Sequence, residues 1–132
     1  MNFLRRQHTK MFIATSKATI ATNLILTSLN IEDYFAMVQA PNNSEIEEKS
    51  ETLSKLLGRI GDSDSLNKNT TCLIGDREHD ILAARDNGIY SIAVTWGYGS
   101  IEELEQAAPD QIIESTSRLL SFLRADKLGL QN

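Results

Sequence analysis

Two carboxylates four residues apart, Asp76 and Asp80, follow the apolar run Cys72-Leu73-Ile74 and a glycine, Gly75. Where such a run is a strand of a parallel sheet, its carboxyl end opens onto the crevice in which ligands bind. Asp76 then projects into that crevice and Asp80 opens the helix that follows. Two hard oxygen donors suit Mg²⁺, which takes one or two protein carboxylates and completes its octahedron with water and substrate phosphate. Spacing alone supports a plainer reading equally well, in which Asp80 caps a helix and Asp76 is a turn residue. His79 stands beside them, but a lone histidine at a helix start is ordinarily a surface or packing residue.

A second apolar run, Phe12-Ile13-Ala14, ends in Thr15, Ser16 and Lys17. A hydroxyl at the end of a strand can orient a phosphoryl oxygen, although taken alone it is more commonly the cap of the next helix. Lys49 lies near the start of an amphipathic stretch, where the helix macrodipole favours acidic side chains. A lysine placed there is able to reach an anionic ligand, and a solvated surface lysine is the default explanation for any single one.

The elements that must position these residues follow from the pattern. Short apolar runs alternate with stretches of helical period, the signature of an α/β domain with a mostly parallel sheet. Strands are expected over Lys10–Ala14, Ala36–Ala40, Thr71–Ile74, Tyr90–Thr95 and Gln111–Ile113. Ile46, Leu53, Leu56, Leu57 and Ile60 share one helical face, and Ser44 and Glu47 precede them at capping-box spacing. A short helix over Asp80–Asn87 is stopped by Gly88. Ser100 and Glu103 repeat the capping-box pattern, and Leu119, Leu120 and Leu123 stripe a last helix. Gly61 to Asn69 reads as a polar, turn-rich loop.

The bulk numbers set the class. The 132 residues are 41% hydrophobic and 23% charged, ordinary for one soluble domain. A net charge of -5 without a basic stretch argues against nucleic acid as a partner, and the apolar run Met11–Ala14 is too short to span a membrane. The single Cys72 reads as a buried strand thiol in a reducing, cytoplasmic setting.

Taken in order, these segments resemble the haloacid dehalogenase superfamily, specifically its phosphoglycolate-phosphatase-like branch. Ile13-Ala14-Thr15-Ser16-Lys17 is similar to the second motif of that family, Lys49 to the third, and Gly75-Asp76-Arg77-Glu78-His79-Asp80 to the fourth. Asn87-Gly88 and the tail Val94-Thr95-Trp96-Gly97-Tyr98-Gly99-Ser100, with Glu102, Glu103 and Leu104, are similar to the same branch. The resemblance implies a Rossmann-like core and a Mg²⁺-dependent phosphatase of small phosphorylated metabolites. It gives Thr15 and Ser16 to phosphoryl binding, Lys49 to neutralising charge beside the nucleophile, Asp76 to direct metal ligation, and Asp80 to the metal directly or through water.

The family's attacking group belongs to an Asp-x-Asp-x-Thr motif at the end of a first, central strand. No such motif occurs in these 132 residues, and Met1 to Lys10 reads as the helix leading into the second-motif strand. The first strand and the cap inserted after it are therefore expected to be absent from a partial single domain over residues 1–132. Asp62-Ser63-Asp64-Ser65 repeats the Asp-x-Asp spacing but follows a helix end rather than an apolar strand. Ala18 stands where the family commonly has proline, and Ala83 where it often has glycine. Without the central strand, the flanking strands would expose unpaired edges, which implies self-association or a complementing chain. The alternative function is a non-catalytic product that binds phosphate, metal or a partner without turnover.

Overall fold

The computed structural model describes residues 10–15, 35–41, 47–63 and 66–126. The helix expected before Lys10, the hydroxyl Ser16 and the capping Ser44 lie outside them. The chain divides into two compact units, residues 1–59 and 60–132. Numbering the described elements in chain order, the first unit holds β1 (Phe12–Ala14), β2 (Met37–Gln39) and most of α1 (Lys49–Ser63). A 3₁₀ turn (Lys68–Thr70), β3 (Cys72–Gly75), α2 (Glu78–Asp86), β4 (Tyr90–Val94), α3 (Ile101–Ala107), β5 (Gln111–Ile113) and α4 (Thr116–Asp126) make up the second. Every described strand pair is parallel, the α/β architecture that the alternating pattern implies. No helix among the described residues is long and apolar enough to cross a membrane.

In the first unit, β1 and β2 align Phe12 with Met37, Ile13 with Val38 and Ala14 with Gln39. The ladder is extended at its ends by Ala36 N–H to Met11 O at 2.8 Å and Thr15 N–H to Gln39 O at 3.1 Å. Helix α1 buries Leu53, Leu56, Leu57 and Ile60, the spacing of a single amphipathic stripe. Arg59 ties the helix to β2, donating to Val38 O at 3.0 Å and to Gln39 Oε1 at 2.9 Å. The helix runs further than the sequence suggests: Gly61 and Asp62, which carry turn chemistry, form its exposed last turn. Asp62 is thus a helical surface residue, with none of the strand-end placement that an attacking aspartate of this family requires.

In the second unit the strand order is β3-β4-β5, with Cys72 opposite Tyr90 and Ile92 opposite Gln111. The middle strand is buried almost throughout, from Ser91 to Val94, as a parallel strand covered on both faces must be. Its one buried hydroxyl is satisfied by a bracket to the start of β5. The Asp110 carboxylate accepts from Ser91 N–H at 2.8 Å, and Ser91 Oγ accepts from Asp110 N–H at 3.0 Å. Ile81 of α2, Ala93 of β4, and Leu104 and Ala107 of α3 form a buried apolar cluster. On α4, Leu123 is buried and Leu119 and Leu120 are half-buried, while Phe122 stacks on Tyr90 with ring centroids 6.3 Å apart.

Helix α2 ends as Gly88 suggests. That residue adopts φ 70°, and the amide of Ile89 donates to Ala84 O at 3.0 Å while that of Gly88 donates to Arg85 O at 3.1 Å. The Arg85 side chain, at the same end, donates to the terminal carbonyls of α3, Ala107 O and Ala108 O. One guanidinium therefore ties the end of α2 to the end of α3. Burial pushes the Cys72 thiol up to about 11, so it stays protonated at neutral pH and serves as a small apolar residue.

The adjacent residues Ile81 and Leu82 separate core from surface, with Ile81 fully buried and Leu82 41% exposed. Ile81→Ala is expected to lower unfolding free energy by about 2–5 kcal/mol, and Leu82→Ala by no more than about 0.5 kcal/mol. Urea titration followed by circular dichroism gives both values.

Candidate functional site

Each unit carries one group of the residues singled out by the sequence. In the first, Thr15 directly follows β1 and continues its pairing with β2 through its backbone N–H. Lys49 is the first residue of α1, and its ammonium donates to the carbonyl of Ala14, the residue before Thr15. A cation in a first helical turn opposes the macrodipole, and here a carbonyl at the end of β1 receives it. The structure thus brings Lys49 to the strand end that bears Thr15, and Ser16 lies outside the described residues.

The start of α1 is set by Glu47, which lies two residues before it. Its carboxylate is buried and accepts from the hydroxyl of the fully buried Thr52 at 2.6 Å and from the ammonium of Lys55. The Thr52 hydroxyl also reaches Glu48 O at 3.2 Å. Capping-box spacing pairs Glu47 with Ser44, whereas the side chain turns forward into the helix. The Lys55 ammonium first, and the Thr52 hydroxyl second, hold the Glu47 carboxyl below its ordinary value.

In the second unit, Asp76 and Asp80 flank the bend between β3 and α2. Asp80 does not open α2. The helix begins at Glu78, and Asp80 is its third residue. From there its Oδ2 accepts backbone N–H groups of both Asp76 and Arg77, at 3.2 Å each, so donors that a helix start leaves unpaired are satisfied. Asp76 is half-buried; its Oδ2 accepts Tyr98 N–H at 2.9 Å, and its carbonyl accepts Gly99 N–H at 3.0 Å. Gly75 and Gly97 are required by this packing. A Cβ on Gly75 would overlap the Asp80 side chain, and one on Gly97 would overlap the Asp76 carboxylate.

A third carboxylate joins this bend without a signal in the sequence. The spacing of Glu103 makes it the partner of Ser100 in a capping box, and the Ser100 hydroxyl does accept Glu103 N–H at 3.0 Å. The Glu103 carboxylate, however, accepts Arg77 Nε and Glu78 N–H, both at 2.8 Å. The Arg77 guanidinium, and next the Glu78 amide, hold the Glu103 carboxyl below its ordinary value. Twenty-five residues separate Glu78 from Glu103, a distance that one sequence does not signal. His79 is exposed, in keeping with a surface residue.

The donor set of this bend fits a hard divalent cation. Asp76 spends one carboxylate oxygen on the Tyr98 amide, and a carboxylate has about four lone-pair directions, so that bond does not exhaust its acceptors. Among the described residues there is no group of three or more histidine, cysteine, aspartate or glutamate side chains able to hold a metal. Mg²⁺ does not need one, because water and phosphate oxygens complete its shell.

The sequence profile of the haloacid dehalogenase-like hydrolases matches residues 1–94, and the chain belongs to that family. It is 31% identical over 128 residues to a phosphoglycolate phosphatase of Photorhabdus laumondii, covering 97% of this chain and 53% of that protein. It is 29% identical over 120 residues to a 5′-nucleotidase of Pseudomonas aeruginosa, covering 91% and 52%. Among solved structures, one described as a predicted phosphatase from Clostridium acetobutylicum matches with a TM-score of 0.85 at 27% identity, over 93% of this chain and 56% of the other. The chain spans about half the length of the curated relatives it matches.

The lowered Glu47 carboxyl predicts a pH dependence. Its folded value lies below the ordinary 4.5, so its stabilisation is present above about pH 4.5 and is lost as the pH falls through the folded value. The urea midpoint of the wild-type chain is expected to fall between about pH 5 and pH 3, and Glu47→Gln to flatten that fall. An unchanged slope in the variant would place the acid sensitivity elsewhere.

Proposed function

We propose that this chain forms the metal- and phosphate-binding part of a Mg²⁺-dependent phosphatase of small phosphorylated metabolites, and that the 132 residues alone do not turn substrate over. The observation that carries this reading is the bend after β3, where Asp76 and Asp80 are oriented by backbone amides at the carboxyl end of a parallel strand. That is where ligands bind in open α/β sheets. Asp76 and Asp80 would hold Mg²⁺. When bound, the ion supplies the positive charge on which phosphoryl transfer chiefly depends.

Thr15 is assigned a hydrogen bond to the phosphoryl group, with Ser16 beside it in sequence. Lys49 is assigned charge neutralisation, a role consistent with an ammonium already directed at the end of β1. Phosphoglycolate phosphatases and a 5′-nucleotidase among the relatives support a substrate in the class of small phosphate monoesters. The single cysteine, which has no disulfide partner in this chain, is consistent with a reducing, cytoplasmic setting.

The covalent step is what these residues lack. None of the five assigned side chains is an aspartate free of the metal, and no Asp-x-Asp-x-Thr sequence is present. In this reading the attacking aspartate comes from residues outside these 132. A second reading, a module that binds metal or phosphate without catalysis, rests on the same observation.

Mg²⁺ is expected to bind the purified chain in calorimetric titration, with at least about tenfold weaker binding in Asp76→Ala, while p-nitrophenyl phosphate with Mg²⁺ releases no product. Turnover by the chain itself, abolished in Asp76→Ala, would show that an internal nucleophile has been overlooked. Absence of Mg²⁺ binding would remove the metal assignment.

A further inference from the structure

Two residues, Asp76 and Arg77, connect β3 to α2, and their conformation decides where the Asp76 carboxylate points. From inside the bend they are held by Asp80, at 3.2 Å for each of two bonds. The Asp80 amide adds a bond to Arg77 O at 3.1 Å, and a single segment further along the chain supplies four contacts of 2.8 to 3.0 Å. Tyr98 N–H and Gly99 N–H reach Asp76 at 2.9 and 3.0 Å, and Glu103 Oε2 reaches Arg77 Nε and Glu78 N–H at 2.8 Å each. Glu103 is itself fixed, since its backbone amide is capped by Ser100 Oγ and its side chain is only 20% exposed.

One oxygen atom therefore grips the two residues that follow Asp76. It bonds a side-chain donor of Arg77 and a backbone donor of Glu78, so the bend can neither swing outward nor unwind its first helical turn without breaking a charge-assisted bond. The Glu103 carboxylate bonds these neighbours rather than the carboxylates of Asp76 and Asp80. Its influence on a bound cation has to pass through the backbone.

We propose that Glu103 is a positioning residue that locks the Asp76–Glu78 bend, so that the Asp76 carboxylate is presented to a divalent cation in one orientation. The proposal rests on the assignment of Asp76 as a metal ligand and deepens it. Mg²⁺ demands near-ideal octahedral geometry and tolerates a wandering ligand poorly. Outer partners of metal ligands are typically worth about 10–100-fold in affinity. Because both bonds end on the same oxygen, a glutamine carbonyl with its two lone pairs can accept both at the same reach. An aspartate keeps the charge but is one methylene too short.

The test compares Glu103→Ala, Glu103→Gln and Glu103→Asp in the full chain by two measurements, Mg²⁺ titration calorimetry and amide hydrogen exchange without metal. Glu103→Ala and Glu103→Asp are expected to weaken Mg²⁺ binding about tenfold and to speed exchange at Glu78 and Tyr98 while β4 stays protected. Glu103→Gln is expected to remain within about threefold of wild type on both. If Glu103→Asp is rescued and Glu103→Gln is not, charge rather than orientation is at work and the proposal falls. Unchanged exchange and unchanged affinity in Glu103→Ala also overturn it. A wild-type chain that takes up no Mg²⁺ overturns the metal assignment itself, and the exchange rates of the metal-free chain show separately whether Glu103 orders the bend. Should Glu103→Ala fail to fold, the contrast between Gln and Asp still decides between orientation and charge.

Discussion

The constraint on which the second unit depends is the satisfaction of backbone amides where β3 passes into α2 with two residues between them. A helix start exposes N–H groups that have no partner within the helix. Here the Asp80 carboxylate takes those of Asp76 and Arg77, and Glu103 takes that of Glu78. The amides of the bend are thereby satisfied. Its packing requires bare backbone at Gly75 and Gly97, and Asp76 accepts the amides of Tyr98 and Gly99. A loop with its donors unpaired would have no fixed direction in which to offer a carboxylate.

Capping and metal binding are therefore compatible uses of the same side chains. Asp80 caps α2 through its Oδ2, which is the plainer reading of its spacing, and the same bonds would orient it in the proposed metal site. The first unit repeats the logic with opposite charge. Lys49 begins α1 against the macrodipole, its ammonium tied to the carbonyl of Ala14. The Glu47, Thr52 and Lys55 network secures the turn from which Lys49 extends. Asp80 follows the acidic preference of a helix start, whereas Lys49 runs against it.

Much of this is legible in the sequence, for local reasons. The run Cys72-Leu73-Ile74 ending in Gly75 marks β3 and its end, because few other arrangements put a continuous apolar run before a glycine and two carboxylates. Gly88 marks the end of α2 through a backbone conformation that glycine adopts without cost, and the ladder of Gln111–Ile113 falls on the expected residues. Where the local pattern misleads, it does so at helix ends. Gly61 and Asp62 carry turn chemistry but continue α1 on its exposed end, and Asp80 sits two residues inside the helix that its position suggests it opens. What the sequence conceals is long-range. Nothing in the spacing of Ser100 and Glu103 reveals that the second carboxylate reaches across to Arg77, nor that Lys49 meets Ala14 35 residues away.

Whether Asp76 and Asp80 take a divalent cation is read most directly from amide resonances of the isotopically labelled chain during titration with Mg²⁺. The amides of Asp76, Arg77 and Tyr98 donate to those two carboxylates, so cation binding there must change their surroundings first. The expected result is saturable shifts centred on Asp76–Asp80 and on Tyr98 and Gly99, with the amides of α4 unmoved. Saturable shifts centred elsewhere, or none at millimolar Mg²⁺, would contradict the assignment of this bend as the metal site.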